Sequence, residues 1–213
     1  MLTRYKLIER IRMVIYNGQP SDDATITFEL VNEWLNDAIG IVAKANYVES
    51  IKLDGVSYLN NAFYSSFSDL AITQDNVNLY KFQLPEYPIG IGSNEGIASV
   101  VVTNSNGNIS YDAVPLTTNQ VSYVRGRRTP PNKMLYYNEN SYCYLITSVP
   151  LFEFTANVRM VSAGDSSDLD SVLNIPSEYV PDIINYIVKN LLLERNQPVD
   201  LANDGTDLSP RQM

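Results

Sequence analysis

Residues 177–195, SEYVPDIINYIVKNLLLER, determine the predicted architecture because they form an amphipathic helix late in the chain. The apolar residues recur at helical spacing and make one stripe: Ile183, Ile184, Ile187, Val188, Leu191 and Leu192. Ser177 is a suitable N-cap, and Pro181 is compatible only with the first turn of a helix. This helix needs an apolar partner elsewhere in the chain, because an isolated helix of this length is only marginally stable.

Two helices near the N-terminus are the predicted partner. Residues 3–16 and 27–46 show apolar residues at helical spacing on either side of a short turn. Thr3 and Thr27 are suitable N-caps, and Asn17-Gly18 can end the first helix in the left-handed conformation. The apolar positions are Leu7, Ile11, Val14 and Ile15, then Leu30, Val31, Trp34, Leu35, Ala38, Ile41, Val42 and Ala45. We expect all three helices to pack together as a helical bundle that is discontinuous in sequence.

The region between these helices predicts an inserted antiparallel β domain. Short runs rich in β-branched and aromatic residues alternate with turn residues, and Asn106-Gly107 suits a tight hairpin turn. The predicted strands cover residues 79–84, 97–103, 108–114, 133–137, 142–149 and 151–161. In the last of them the predicted inward face carries Phe152, Phe154, Ala156, Val158 and Met160. No crossover helix separates the strands, so we expect a mostly antiparallel sheet or a small barrel.

The sequence therefore predicts an α+β fold with an extended C-terminal tail. Its divisions are residues 1–50 for the helical hairpin, 51–168 for the β domain, 169–198 for the C-terminal helix that packs on the hairpin, and 199–213 for the tail. The tail combines Asp, Gly and Pro with few apolar residues, so it is not expected to fold alone.

Composition excludes several classes of chemistry. The 213 residues carry a net charge of −9 and include no histidine and a single cysteine, Cys143. Histidine-dependent triads, histidine-ligated metals, internal disulfides and multi-cysteine zinc sites are therefore excluded. An acidic chain lacks the basic surface that a general affinity for DNA requires. The first residues do not show the pattern of a signal peptide, and no apolar stretch approaches the length of a membrane span. We expect a non-enzymatic structural protein that is made in a cytoplasm and needs no cofactor or metal.

Two segments are candidate partner-binding sites. Arg125, Arg127 and Arg128 concentrate basic charge in an acidic chain, and guanidinium groups form bidentate contacts with phosphates or carboxylates. An ordinary solvated loop explains the same residues. In the tail, Leu201 and Leu208 can anchor an extended segment on a neighbouring chain, with Asp204 between them.

Other features admit competing interpretations. Four tyrosines crowd one predicted hairpin, where they either pack in a sheet or stack on sugar rings: Tyr136, Tyr137, Tyr142 and Tyr144. The second possibility describes a glycan-binding fibre module, which is expected to trimerise. A hydrolase with paired carboxylates is a third class, and it requires a carboxyl group of raised pKa in a cleft. Glycine-rich residues 90–96 lack a phosphate-binding context and are predicted to be a flexible surface loop.

Both ends of the chain resemble a known protein family. Residues 21–24 (SDDA), 28–31 (FELV), 175–184 (IPSEYVPDII) and 203–205 (NDG) are similar to segments of head-to-tail connector proteins of short-tailed bacteriophages. The ring proteins of crAss-like phages are the nearest match, and the β region resembles theirs only in type.

The resemblance implies a function without catalytic residues. Members of that family form a ring, usually dodecameric, beneath the portal at the junction of head and tail. The expected partners are other copies of the chain, the portal protein and an adjacent ring or tail protein. DNA is expected to pass through the channel without specific binding, since an acidic wall repels phosphate at short range.

Overall fold

The computed structural model describes residues 2–18, 26–55, 58–91, 96–117, 120–121 and 133–195. These residues form a helical module and a β module. The helices are α1 (Arg4–Ile15), α2 (Phe28–Asp54) and α3 (Val180–Arg195), with a 3-10 turn at Ser177–Tyr179 before α3.

The three helices pack around one apolar core, which confirms the predicted discontinuous bundle. Every pair among α1, α2 and α3 is in contact. Residues without solvent-exposed surface come from each helix: Leu7, Ile8, Ile11, Val31, Leu35, Ala38, Ile183 and Ile187. The chain leaves the bundle after α2 and returns at α3, so the β module is an insertion.

The helix starts follow the predicted signals except at α3. The Thr3 hydroxyl accepts a hydrogen bond from the Lys6 N–H at 3.4 Å, and the Thr27 hydroxyl accepts one from the Leu30 N–H at 3.2 Å. Ser177, by contrast, is not an N-cap. It lies inside the 3-10 turn, where a backbone hydrogen bond takes the place of a side-chain cap.

The second helix is longer than predicted. It continues past Asn46, where the apolar period fades, to Asp54. The Asn46 amide donates to the Tyr179 hydroxyl at 2.6 Å, and its carbonyl oxygen accepts from the Asn60 N–H at 3.1 Å. These tertiary bonds hold a helical segment that local propensity does not favour, and Gly55 then ends it at φ 69°.

The β module is a single curled sheet of eight strands in the order β1-β8-β4-β5-β6-β7-β3-β2. The strands are β1 (Tyr64–Ala71), β2 (Thr73–Asn76), β3 (Leu79–Gln83), β4 (Ile97–Asn104), β5 (Ser110–Pro115), β6 (Met134–Glu139), β7 (Tyr142–Ile146) and β8 (Phe154–Val161). Only Ile72 separates β1, which pairs with β8, from β2, which pairs with β3. One bent strand therefore joins both ends of the sheet and curls it into a barrel-like shape.

One strand pair departs from the predicted antiparallel arrangement. β5 and β6 run parallel, with Ala113 opposite Met134 and Pro115 opposite Tyr136, whereas the other pairings between described strands are antiparallel. A parallel pair requires a long crossover connection, which residues 116–133 provide. The turn residues before β5 and after β6 predicted two separate hairpins, β4 with β5 and β6 with β7. They did not indicate that β5 and β6 pair with each other.

The sheet encloses its own apolar core, and its strands depart locally from the sequence pattern. Ala156, Val158 and Met160 are buried as predicted, but Phe152 lies in the turn before β8 and is 80% exposed. β1 and β2 were not predicted, because serines and aspartates interrupt the alternation of β1 and β2 is wholly polar. In β1, Asp69 adopts φ 60° at a bulge.

The two modules join through a packed junction. Phe63 and Val161 from the β module lie in the core of the helical bundle, and the Val161 carbonyl accepts a hydrogen bond from the Ile89 N–H at 2.8 Å. A Cβ at Gly96 (φ 82°) would lie 2.0 Å from the Ile89 carbonyl oxygen, so glycine is required there. The prediction of a surface loop over residues 90–96 is wrong at Ile91 and Gly96, which are buried, whereas Gly90 is exposed; residues 92–95 lie outside the described ranges.

Candidate functional site

The candidate sites predicted from sequence lie outside the described residues. Arg125, Arg127 and Arg128 belong to the crossover connection between β5 and β6, which is described only at residues 116–117, 120–121 and 133. Leu201, Asp204 and Leu208 follow the end of α3 and are likewise outside. The topology does show that the arginine segment belongs to a crossover between parallel strands rather than to a hairpin loop.

The tyrosine-rich hairpin is mainly a packing feature. Tyr136 and Tyr137 are buried, and the rings of Tyr137 and Tyr144 stack at 5.0 Å with an interplanar angle of 8°. Sheet packing therefore accounts for at least two of the four tyrosines, as predicted. Buried rings cannot stack on a sugar, so this hairpin is a poor glycan platform.

Two reactive groups are held in unreactive states. Burial raises the pKa of the Cys143 thiol far above its ordinary value, which keeps the sulfur protonated. The Asp165 carboxylate accepts hydrogen bonds from the Ser167 hydroxyl at 2.6 Å and from the Ser167 N–H at 2.8 Å, and these bonds lower its pKa. Asp165 therefore does not supply the carboxyl group of raised pKa that the hydrolase interpretation requires.

A buried arginine, which was not predicted from the sequence, lies at the centre of the helical module. Arg4 has no exposed surface, and its guanidinium donates to Asn32 Oδ1 at 2.5 Å, to Asn36 Oδ1 at 2.6 Å and to the Ala163 carbonyl at 2.8 Å. Burial lowers the pKa of Arg4, whereas the charges of Asp165 and Glu86 oppose this shift. One side chain thus links α1, α2 and the segment that leaves the β module.

A sequence signal for this site exists on α2. Asn32 and Asn36 are spaced i, i+4 inside a helix, where asparagine is unfavourable because its side chain competes with the backbone for hydrogen bonds. A pair of asparagines on one side of an otherwise amphipathic helix indicates a buried polar partner.

Next to Arg4, an acidic cleft of about 600 Å³ opens between α2 and two loops, residues 85–89 and 163–166. Asp37, Glu86 and Asp165 line it, together with Lys44. The Glu86 carboxylate accepts a hydrogen bond from the Ser162 hydroxyl. The chemistry of this cleft suits a basic group of a partner protein.

Helix α1 presents what we call the basic face: Lys6, Arg10, Met13 and Val14. All four side chains are exposed; Lys6 and Met13 lie opposite the core residues of the helix, and Arg10 and Val14 lie between that side and the edge of the core. In the described part of the chain neither Lys6 nor Arg10 forms an ion pair. Like charges at i, i+4 destabilise a helix by about 0.2–0.5 kcal/mol, and no ion pair of Lys6 or Arg10 within the described ranges offsets this cost.

Helix α2 presents what we call the acidic face: Glu33, Asp37 and Ile41. These residues are exposed at i, i+4 and i+8, and the two carboxylates form no ion pair within the described ranges. Val14 and Ile41 were predicted as core residues, but both are more than 40% exposed because the cores of α1 and α2 are narrower than the sequence stripes.

A second exposed surface lies at the far end of the β module. Val77, Ile109 and Phe152 are exposed on three turns. Backbone hydrogen bonds connect these turns. The Thr147 N–H donates to the Asn78 carbonyl at 3.1 Å, and the Ser105 N–H donates to the Glu153 carbonyl at 2.9 Å. We call this set the distal turns.

Comparison with known proteins identifies the family. The family model of phage tail ring protein 2 matches residues 6–208, which include both modules. No curated protein matches the chain. Among the described residues, no helix is both long and apolar enough to cross a bilayer. The chain is thus a ring-forming structural component of the phage virion, and it belongs to the phage tail ring protein 2 family of crAss-like bacteriophages.

Proposed function

We propose that this protein forms a dodecameric ring of the head-to-tail connector, directly below the portal, and joins the capsid to the tail. The observation that carries this proposal is the family match across residues 6–208, which spans the helical module, the β module and part of the tail. A connector subunit needs side surfaces for its neighbours and end surfaces for the proteins above and below. The exposed helix faces and the distal turns are suited to these two roles.

The same ring is proposed to line the channel through which DNA passes. With a net charge of −9, the subunit gives a ring that repels phosphates at distances within the Debye length, about 8–10 Å in physiological salt. Weak, non-specific repulsion allows DNA to move without adhering, whereas a basic wall would hold it through counterion release.

Co-expression with the portal protein of the same phage tests this function. We expect a complex in which electron microscopy shows a ring of this chain coaxial with the portal and with the same number of copies. Isolated trimers of the chain would instead favour a fibre module. A ring that never associates with the portal would contradict the connector role while leaving ring formation intact.

The arginine segment is proposed to contact acidic groups of a neighbouring subunit or of the portal. Its support is the concentration of Arg125, Arg127 and Arg128 in an acidic chain, within a long crossover connection. Replacing all three with alanine should weaken ring assembly roughly tenfold or more, because charge-assisted bidentate contacts contribute strongly at interfaces. Sedimentation velocity measures the assembly, and circular dichroism checks that the subunit stays folded. Unchanged assembly would leave these arginines as solvated surface.

The tail, residues 199–213, is proposed to become ordered only against another protein. Ordering costs about 1–2 kcal/mol of backbone entropy per residue, which Leu201 and Leu208 cannot offset within their own subunit. Truncation after Pro198 should therefore leave the free energy of unfolding within about 0.5 kcal/mol of the full chain. Docking to the portal or to the next ring should be lost in pull-down experiments. Normal docking of the truncated chain would contradict a partner-binding role for the tail and for its residues Leu201, Asp204 and Leu208.

A further inference from the structure

The structure provides two helix faces that are complementary in charge and equal in length. The basic face runs from Lys6 to Val14 and the acidic face from Glu33 to Ile41, so each spans about 12 Å at the rise of an α-helix. Each face has two like charges at i, i+4, followed by exposed Met13 and Val14 on the basic face and by exposed Ile41 on the acidic face. Both faces lie on exposed parts of their helices, outside the core that α1 and α2 share.

A ring built from identical subunits requires two different surfaces that fit each other. Such a heterologous contact repeats head to tail until the rotation closes. Identical faces cannot meet here, because basic would face basic or acidic would face acidic. The opposite pairing neutralises both sets of like charges and covers Met13, Val14 and Ile41.

The acidic cleft strengthens this pairing. Asp37 belongs both to the acidic face and to the lining of the cleft, where Glu86 and Asp165 add two carboxylates. A basic helix that approaches the acidic face therefore also meets Glu86 and Asp165, whose charge is partly offset by Lys44 and by the guanidinium of Arg4. Such complementarity speeds association and suppresses wrong pairings.

We propose that the basic face of one copy docks on the acidic face of the next copy, and that this contact joins neighbouring subunits around the ring. This proposal rests on ring formation by the family but not on the portal connection or the copy number. It commits to a second copy of this chain as the occupant of both faces.

Reciprocal charge reversal tests the contact. The first variant carries Lys6→Glu and Arg10→Glu, the second carries Glu33→Lys and Asp37→Lys, and the third carries all four changes and keeps the net charge of −9. Each of the first two should assemble poorly alone, with the concentration for half-assembly raised roughly a hundredfold by facing like charges. Mixed together they should form rings in which the two variants alternate. The third variant should form rings alone but should not enter wild-type rings.

A matched control changes charge elsewhere. Lys52→Glu with Lys189→Glu alters the net charge as much as the first variant does, at exposed positions outside both faces, and should assemble like the wild type. Circular dichroism checks that every variant is folded. If the first two variants assemble normally, or if mixing them restores nothing, the proposed contact is wrong even though the family forms rings.

Disulfide trapping gives a second measurement that does not need complete rings. Chains that carry Arg10→Cys and chains that carry Asp37→Cys are mixed under mild oxidation, while native Cys143 stays buried. We expect the 10–37 cross-link between chains to form at least several times faster than either 10–10 or 37–37 cross-links. Equal rates for the three cross-links would overturn the proposal.

Discussion

Replacement of Arg4 with alanine should lower the free energy of unfolding of the subunit by about 3–5 kcal/mol. The substitution leaves Asn32 Oδ1, Asn36 Oδ1 and the Ala163 carbonyl without the guanidinium that now satisfies them. The acceptors belong to partly buried residues, and each acceptor left unsatisfied costs about 1–3 kcal/mol, to which the cavity left by the buried Arg4 side chain adds. Urea denaturation at a protein concentration where the chain is monomeric measures the effect.

Two further variants separate the hydrogen bonds of Arg4 from its charge. Arg4→Lys keeps the charge but has no planar fork, so it should recover only part of the lost stability. Lys6→Ala, on the exposed side of the same helix, should change stability by no more than about 0.5 kcal/mol. A loss of less than about 1 kcal/mol in Arg4→Ala would show that water satisfies these acceptors and that Arg4 is not the link between the modules.

Replacement of Ile187 with alanine should cost about 2–5 kcal/mol and should loosen helices that lie far away in sequence. Ile187 has no exposed surface and packs in the core that α1 and α2 share with α3. Hydrogen exchange should therefore quicken in α1 and α2 more than in β4 and β8, whose residues mainly form the separate core of the sheet.

The exposed Lys189 provides the control on the same helix. Lys189→Ala should leave both the stability and the exchange pattern nearly unchanged. If Ile187→Ala quickens hydrogen exchange in the sheet as much as in the N-terminal helices, the two modules unfold as one unit. The helical bundle would then not unfold independently of the sheet.

The sequence predicted the helical bundle well because its signals are local and repeated. Thr3 and Thr27 cap their helices as expected, and the stripe containing Ile183 and Ile187 is buried. The predicted burial of individual stripe residues was less accurate. Val14 and Ile41 match the helical period but lie at the solvent-facing edge of the stripe and are exposed. Amphipathic spacing identifies a face, whereas the packing of neighbours decides how much of that face is covered.

The remaining features depend on tertiary contacts that leave little trace in the sequence. The end of α2 was misjudged because Asn46 bonds to Tyr179, more than a hundred residues away. The parallel pairing of β5 with β6 depends on a crossover without periodicity. Arg4 was missed as a buried link because arginine is almost always exposed, and only the paired asparagines on α2 pointed to its acceptors.

The candidate interfaces also differ in whether the sequence alone can identify them. Charge concentration drew attention to Arg125, Arg127 and Arg128, which sequence alone can identify. The basic and acidic faces could be identified only from the structure, which shows which side of each helix is buried. In the sequence, Lys6, Arg10, Glu33 and Asp37 are ordinary surface charges.

Cryo-electron microscopy of the intact virion tests the central claim, that this chain is a ring of the head-to-tail connector, most directly. We expect density for a closed dodecameric ring on the portal axis. The helical module and the curled sheet should fit together into the density of one subunit. In that map the basic face of each copy should meet the acidic face of the next, around a channel that contains DNA. Density for this fold only in peripheral fibres, or nowhere along the axis between portal and tail, would contradict the account.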